Sequence, residues 1–313
     1  MSVRSTTVLS EQGRKLQSRR RMKQNIPLLI MLLPVLIFYI VFKYAPMGGL
    51  VIAFKDYNFA DGIFGSPWVG WKNFELLFSG ANTLNIIRNT FVLSVLRLIC
   101  GFPAPIILAI LLNEVQRNWY RRSLQTIMYM PHFFSWVIMG GIISTIFAQD
   151  GVINQLIMML GGESVAFMYN PSTWIGVFLG SDIWKGMGYG SIIYLAALTS
   201  VDPTLYESAV LDGANKWKQI WHITLPSIRS TILTMFILAT GNIMDVGFDQ
   251  IYVLQNAAVN EVADVISTYV YRIGLQGAQY SLATAMGLFE SLVGLVLVVF
   301  TNRVAKFFGE NLW

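Results

Sequence analysis

Six apolar runs, each about the length needed to cross a bilayer, constrain this chain more than any other feature. They are Ile26 to Phe42, about Asn89 to Leu112, Leu124 to Phe147, about Thr173 to Leu198, Ile228 to Leu254 and Ser281 to Val304. About 20 helical residues cover about 30 Å of hydrocarbon. The runs are continuous rather than alternating in polarity, which argues against a barrel. Lipid also requires each spanning segment to close its own backbone hydrogen bonds, so helices are predicted. With 55% hydrophobic and 12% charged residues among 313, the chain carries more apolar surface than one soluble core could hide. The expected fold is an all-α membrane protein: a basic segment over 1–25, six transmembrane helices over 26–306 and a tail over 307–313.

Charge sets the expected orientation. Arg4, Arg14, Lys15, Arg19, Arg20, Arg21 and Lys23 precede the first run against one acid, Glu11. Loops that keep Lys and Arg stay in the cytoplasm. Arg117, Arg121 and Arg122 after the second run and Lys216, Lys218 and Arg229 after the fourth agree, as do Arg303 and Lys306 in the tail. Both termini are therefore expected inside a plasma membrane, with residues 43–88 an extracellular loop and 199–227 a cytoplasmic one. No small-residue cleavage site stands near Tyr44-Ala45-Pro46, so the first run is read as an uncleaved span. The net charge of +5 is accounted for by the inside loops and calls for no nucleic-acid partner. Cys100 is the only cysteine, which excludes a disulfide within the chain.

The cytoplasmic loop is the most structured polar stretch. Asp202-Pro203 is a helix start, an N-cap acceptor followed by a residue whose missing N–H costs nothing in the first turn. A helix over about Pro203 to Leu211 follows, broken by Asp212-Gly213. Trp217, Ile220 and Trp221 then give a second amphipathic piece, ended by Pro226. Two such helices, apolar faces packed on the bundle, would present Glu207, Asp212 and small Ala209 as a knob for a groove in another protein. The second helix alone is equally consistent with an interfacial helix on anionic lipid.

Glu207-Ser208-Ala209, Asp212-Gly213-Ala214 and Ile223-Thr224-Leu225-Pro226 together resemble the EAA loop of ABC-importer permeases, with Ser208 in place of the motif's first Ala. Trp68-Val69-Gly70-Trp71-Lys72-Asn73-Phe74, Leu195-Ala196-Ala197-Leu198 and Phe248-Asp249-Gln250-Ile251-Tyr252 resemble stretches of sugar permeases, in the same order. Tyr44-Ala45-Pro46-Met47 and Phe54-Lys55-Asp56-Tyr57 resemble the oligosaccharide and polysaccharide-fragment permeases of Gram-positive bacteria. The chain is thus similar to a type I ABC-importer permease of the carbohydrate-uptake group. The resemblance implies a non-enzymatic subunit that pairs with a second permease, a paralogue, above two cytoplasmic ATPase subunits. It also implies an extracellular sugar-binding lipoprotein that delivers an oligosaccharide. ATP and Mg would bind on the ATPase, with no cofactor on this chain, and no G-x-x-x-x-G-K-[ST] occurs here. ATPase coupling would fall on Glu207, Ser208, Ala209, Asp212, Gly213, Ala214, Ile223, Leu225 and Pro226.

Charged side chains within a span should face protein or water. If the fifth run is one helix from Ile228, Asn242, Asp245 and Asp249 lie about 21, 26 and 31 Å along it and share a face. That face is a candidate substrate pathway, with Gly241 and Gly247 permitting close packing or local unwinding. Asp182 and Trp184 in the fourth run are further candidates, the indole as a platform for a sugar ring. The structural alternatives are an Asp182–Lys185 pair and an Arg97–Glu290 pair. The outer-loop aromatics suit either an interfacial belt or a platform for the binding protein. An ion-coupled secondary transporter using Asp182, Asp245 or Glu290 is the rival function; no inverted repeat supports it. An intramembrane serine protease is disfavoured because both histidines, His132 and His222, precede the fifth run.

Overall fold

The computed structural model describes residues 11–241 and 243–307, so Arg4, Asn242 and the tail beyond 307 lie outside the described residues. Among the described residues there is no strand, only one isolated antiparallel bridge between Lys55 and Trp68. By its contacts the chain divides into two units. One takes the first helical stretch to Ile52 together with Tyr57–Ser66; the other takes Ala53–Asp56 and the chain from Pro67 onward. The first unit is built on α1 (Glu11–Tyr39), and its apolar side chains from Ile26 to Phe42 are exposed.

The larger unit contains α2 (Lys72–Ser79), α3 (Thr83–Gly101), α4 (Pro103–Glu114), α5 (Asn118–Tyr129), α6 (Trp136–Ile146) and α7 (Val152–Met159). It continues through α8 (Pro171–Thr199), α9 (Pro203–Leu211), α10 (Lys216–Gln219), α11 (Arg229–Gly241), α12 (Phe248–Leu254), α13 (Asn260–Ala263), α14 (Ile266–Val270) and α15 (Tyr280–Phe307). Three helical stretches are long and apolar enough to cross a membrane: Asn25–Phe54, Thr83–Glu114 and Tyr280–Arg303. The number rises to five if two bent pairs each count as one span. The helix α8, about 43 Å long by its 29 residues, falls short on apolarity alone, because Gly, Ser, Asp182 and Lys185 interrupt it.

Two of the expected spans are not continuous. The third bends by 106° between Phe133 and Trp136. Lys185 Nζ donates to the carbonyls freed there, to His132 O at 2.8 Å and Phe134 O at 2.6 Å. Backbone groups released inside a bundle need such partners. Asp182 and Lys185 therefore do not neutralise each other. Close approach of α5 to α8 depends on Gly188, where a Cβ would overlap the carbonyl of Met128.

The expected fifth span also breaks. After α11 the chain leaves the helix, turns at Ile243–Met244, and re-enters at α12 after Gly247, which has φ +88°. Buried amides hold the result together: Gln250 Nε2 donates to Phe178 O (2.8 Å), and Asn89 Nδ2 to Glu261 O (2.7 Å). The Trp174 indole donates to Leu254 O at 2.9 Å. Around them Leu93, Met139, Ile143, Trp174, Phe178, Ile251 and Leu254 form the largest apolar core. A second core joins Ile106 and Ala109 of α4 to Tyr194 and Leu198 of α8 and to Ile228.

The outer-loop motif has a local explanation. Asn73, 6% exposed, donates to Ala53 O and Lys55 O, each at 2.9 Å. Gly70 turns the chain at φ +61°, and Val69 N donates to Phe54 O. Trp68, Trp71 and Phe74 surround the Phe54 ring, while both indoles stay largely exposed.

Candidate functional site

The loop after α8 folds as a capped two-helix knob. Asp202 accepts from Thr204 N at 2.9 Å and Pro203 occupies the first turn, so α9 covers the predicted residues. The backbone N–H of Thr204, with a side-chain hydrogen bond from the same residue, holds the Asp202 carboxyl below its ordinary value. At the other end Gly213 takes φ +75°, Ala214 N donates to Ala209 O and Gly213 N to Val210 O. These two bonds are a Schellman motif, which satisfies the last carbonyls and re-aims the chain. Asn215 then caps α10 by accepting from Lys218 N at 2.9 Å.

The second piece ends at Ser227, one residue after Pro226 and close to the expected stop; it passes through a π-turn over Ile220–Thr224 and bends by 65° into α11. Widening the turn before a proline relieves the clash between its ring and the preceding carbonyls. The packing face differs from the expected one, because Trp217 and Trp221 are 72% and 63% exposed. Inward contacts come instead from Gln219, Thr224 and Ile228, all buried, with Leu225 packed on the α4–α8 core. Tyr206 and Thr224 join the two halves through their hydroxyls at 3.1 Å. Lys216 Nζ meets Glu114 Oε2 at 2.7 Å, an exposed pair worth about 0–1 kcal/mol.

Glu207, Ser208, Asp212, Gly213 and Pro226 are exposed, while Ala209, Ala214, Ile223 and Leu225 are half-buried. Leu211, 89% exposed, and Val210 lie beside the acids and are not explained by the sequence argument. A protruding surface mixing carboxylates with large apolar side chains suits a protein groove better than water.

Between α3, α8 and the turn after α11, a cleft of 560 Å³ is lined by Ser94, Arg97, Gly101, Asp182, Gly186 and Asp245 among others. Arg97 Nη2 donates to Asp182 Oδ1 at 2.7 Å and Nε to Oδ2 at 2.9 Å. Arg97 thus pairs with Asp182, not with Glu290. Its Nη1 points to the backbone oxygen of Asp245 at 3.4 Å, which ties α3 and α8 to the broken turn. The cleft joins Asp182 and Asp245 and leaves out two other candidates. Asp249 sits exposed in the first turn of α12, where an acid favours the helix start. Trp184 lines a separate apolar groove of 460 Å³ with Phe147, Phe167 and Val177. Because residues 243–247 are not helical, Asp245 and Asp249 do not share the expected helical face; Asn242, the third member, lies outside the described residues. Ser94 went unnoticed in the sequence, since nothing marks one serine in an apolar run.

Residues 101–312 match the family of binding-protein-dependent transport system inner membrane components. The polygalacturonan/rhamnogalacturonan transport system permease protein YteP of Bacillus subtilis is 46% identical, covering 91% of this chain and 89% of its own. Protein LplB of the same organism is 43% identical over 96% of this chain and 94% of its own. A crystal structure of a bacterial ABC transporter involved in the import of the acidic polysaccharide alginate contains a chain that superposes with a TM-score of 0.84. It is 43% identical and covers 93% of this chain and 98% of its own. A second structure, of an alginate transporter in complex with an alginate pentasaccharide-bound periplasmic protein, matches equally, at 42% identity. The chain belongs to the binding-protein-dependent transport system inner membrane components, and it is a permease of the ABC-importer class with the type I permease fold. The ion-coupled alternative has no support among these relatives.

Proposed function

We propose that the chain forms half of the translocation pathway of an ATP-driven importer for an oligosaccharide, working by alternating access. It spans the plasma membrane six times, with both termini in the cytoplasm. Its other half is a paralogous permease, its motor two ATPase subunits that bind ATP and Mg, and its substrate arrives on an extracellular sugar-binding lipoprotein. The observation that carries this reading is the continuous path from knob to cleft. The knob is rooted through Leu225 and Ile228 in the core shared with α4 and α8. From that root α11 runs to Gly241, and Ala239, Ile243 and Asp245 near its end line the cleft. A push on Glu207 to Ala214 would therefore reach the cleft wall through one helix.

ATP binding would draw the two ATPases together, move the knobs with them and turn the cleft outward. Asp245 supplies acceptors for sugar hydroxyls, and the alginate and polygalacturonan relatives support a polysaccharide fragment as the cargo. Right-side-out proteoliposomes holding the purified complex, with ATP trapped inside and binding protein outside, test this. Uptake of an oligosaccharide should require both; uptake driven by an ion gradient without ATP would overturn it.

A further inference from the structure

The charges on the cleft wall bear on which sugars it passes, an inference that rests on the import function proposed above. Of the residues lining the cleft, one is a cation, Arg97, and two are carboxylates, Asp182 and Asp245. Arg97 is already occupied: two of its nitrogens engage Asp182, and the third faces the Asp245 backbone oxygen. It is hemmed in on that side by Gly247, where even a Cβ would come within 3.2 Å of Nη1. The Asp245 carboxylate accepts from Gly247 N at 3.0 Å, is exposed, and forms no ion pair among the described residues. Ser94, 3% exposed, lines the same cleft with a hydroxyl that has no hydrogen-bond partner.

An unpaired, exposed carboxylate bonds well to sugar hydroxyls, but it repels a uronate. We infer that this chain supplies the hydroxyl-reading wall of the pathway, with Asp245 selecting against a sugar carboxylate on its side. An acidic oligosaccharide then passes only with its carboxylates turned to the opposite wall.

The test uses the reconstituted complex with its binding protein, a galacturonate trisaccharide and its fully methyl-esterified, neutral form. Because both variants share the binding protein, its own preference cancels when their acid-to-ester uptake ratios are compared. Asp245→Asn should raise that ratio about 3- to 50-fold, the Coulomb factor for unit charges about 7 Å apart between water-like and near-surface dielectric. Asp245→Glu should keep the ratio near its original value. In the unmodified complex the ratio should also rise with ionic strength, a measurement independent of any folding defect in the variants. A ratio indifferent to both the Asn substitution and salt overturns the inference while leaving the import function standing. An unmodified complex that hydrolyses ATP yet imports neither form removes the sugar-import function and this inference with it.

Discussion

Asp202 begins α9 by accepting the Thr204 N–H, and that bond stabilises its charged form. A group whose pKa is lowered by folding contributes stability above its unfolded value and loses it as pH falls through the folded one. Asp202→Ala should therefore speed hydrogen exchange at Thr204 and Leu205 at neutral pH, and the difference from the unmodified chain should shrink once the carboxyl protonates in acid. Arg97 shows a different economy. Arg97→Ala strands Asp182, whose side chain is 15% exposed, without a counter-charge. The expected cost is about 3 kcal/mol, the low end for a broken buried pair because the Arg97 side chain is 33% exposed. Thermal unfolding in detergent measures it, and Arg97→Ala with Asp182→Ala should recover part of the loss. The cap was legible in the sequence because Asp202 and Thr204 are neighbours. The ion pair was not, since its members lie 85 positions apart and nearer partners, Lys185 for Asp182, looked equally suitable.

Helices were legible wherever apolar length alone defines them, as in Thr83–Glu114 and Tyr280–Arg303. Their interruptions were harder to read. Gly241 and Gly247 left close packing and local unwinding equally open in the fifth run, and the spacing of Asp245 and Asp249 suggested a helical face that the chain does not keep. A break becomes affordable only when distant groups satisfy the freed backbone, as Lys185 does at the bend between α5 and α6. Such partners belong to tertiary structure. The same holds for Gly188, whose lack of a side chain admits the Met128 carbonyl. Gly188→Val should force α5 from α8 and destabilise the bundle by about 1–3 kcal/mol, read as a lower unfolding temperature and a lower yield of assembled complex. Gly186, with open space around its Cβ position, should tolerate alanine better.

Across the whole molecule, the fold assigns separate tasks to separate regions. In the proposed function the exposed knob would offer Glu207, Asp212 and Leu211 to a partner; the α4–α8 core anchors it, and the cleft carries polar side chains. The loop was readable from the Asp202 cap to the Gly213 turn because capping and turn chemistry are local, while the packing face of its second half was not. The cleft was readable only in part, because it assembles Ser94 and Asp182 from two helices and Asp245 from the non-helical turn after α11. Gly213 offers a direct test of the link between these parts. Proline there cannot adopt φ +75° and removes the N–H that bonds Val210 O, so the knob should lose its shape while the spans insert normally. The measurement is a tagged pull-down from mildly solubilised membranes, comparing the unmodified chain with Gly213→Pro at equal membrane levels. The account predicts that an ATPase and a second permease co-purify with the former, and that the ATPase is lost from the latter. An ATPase retained in full by Gly213→Pro, with ATP-driven uptake unchanged, would contradict it.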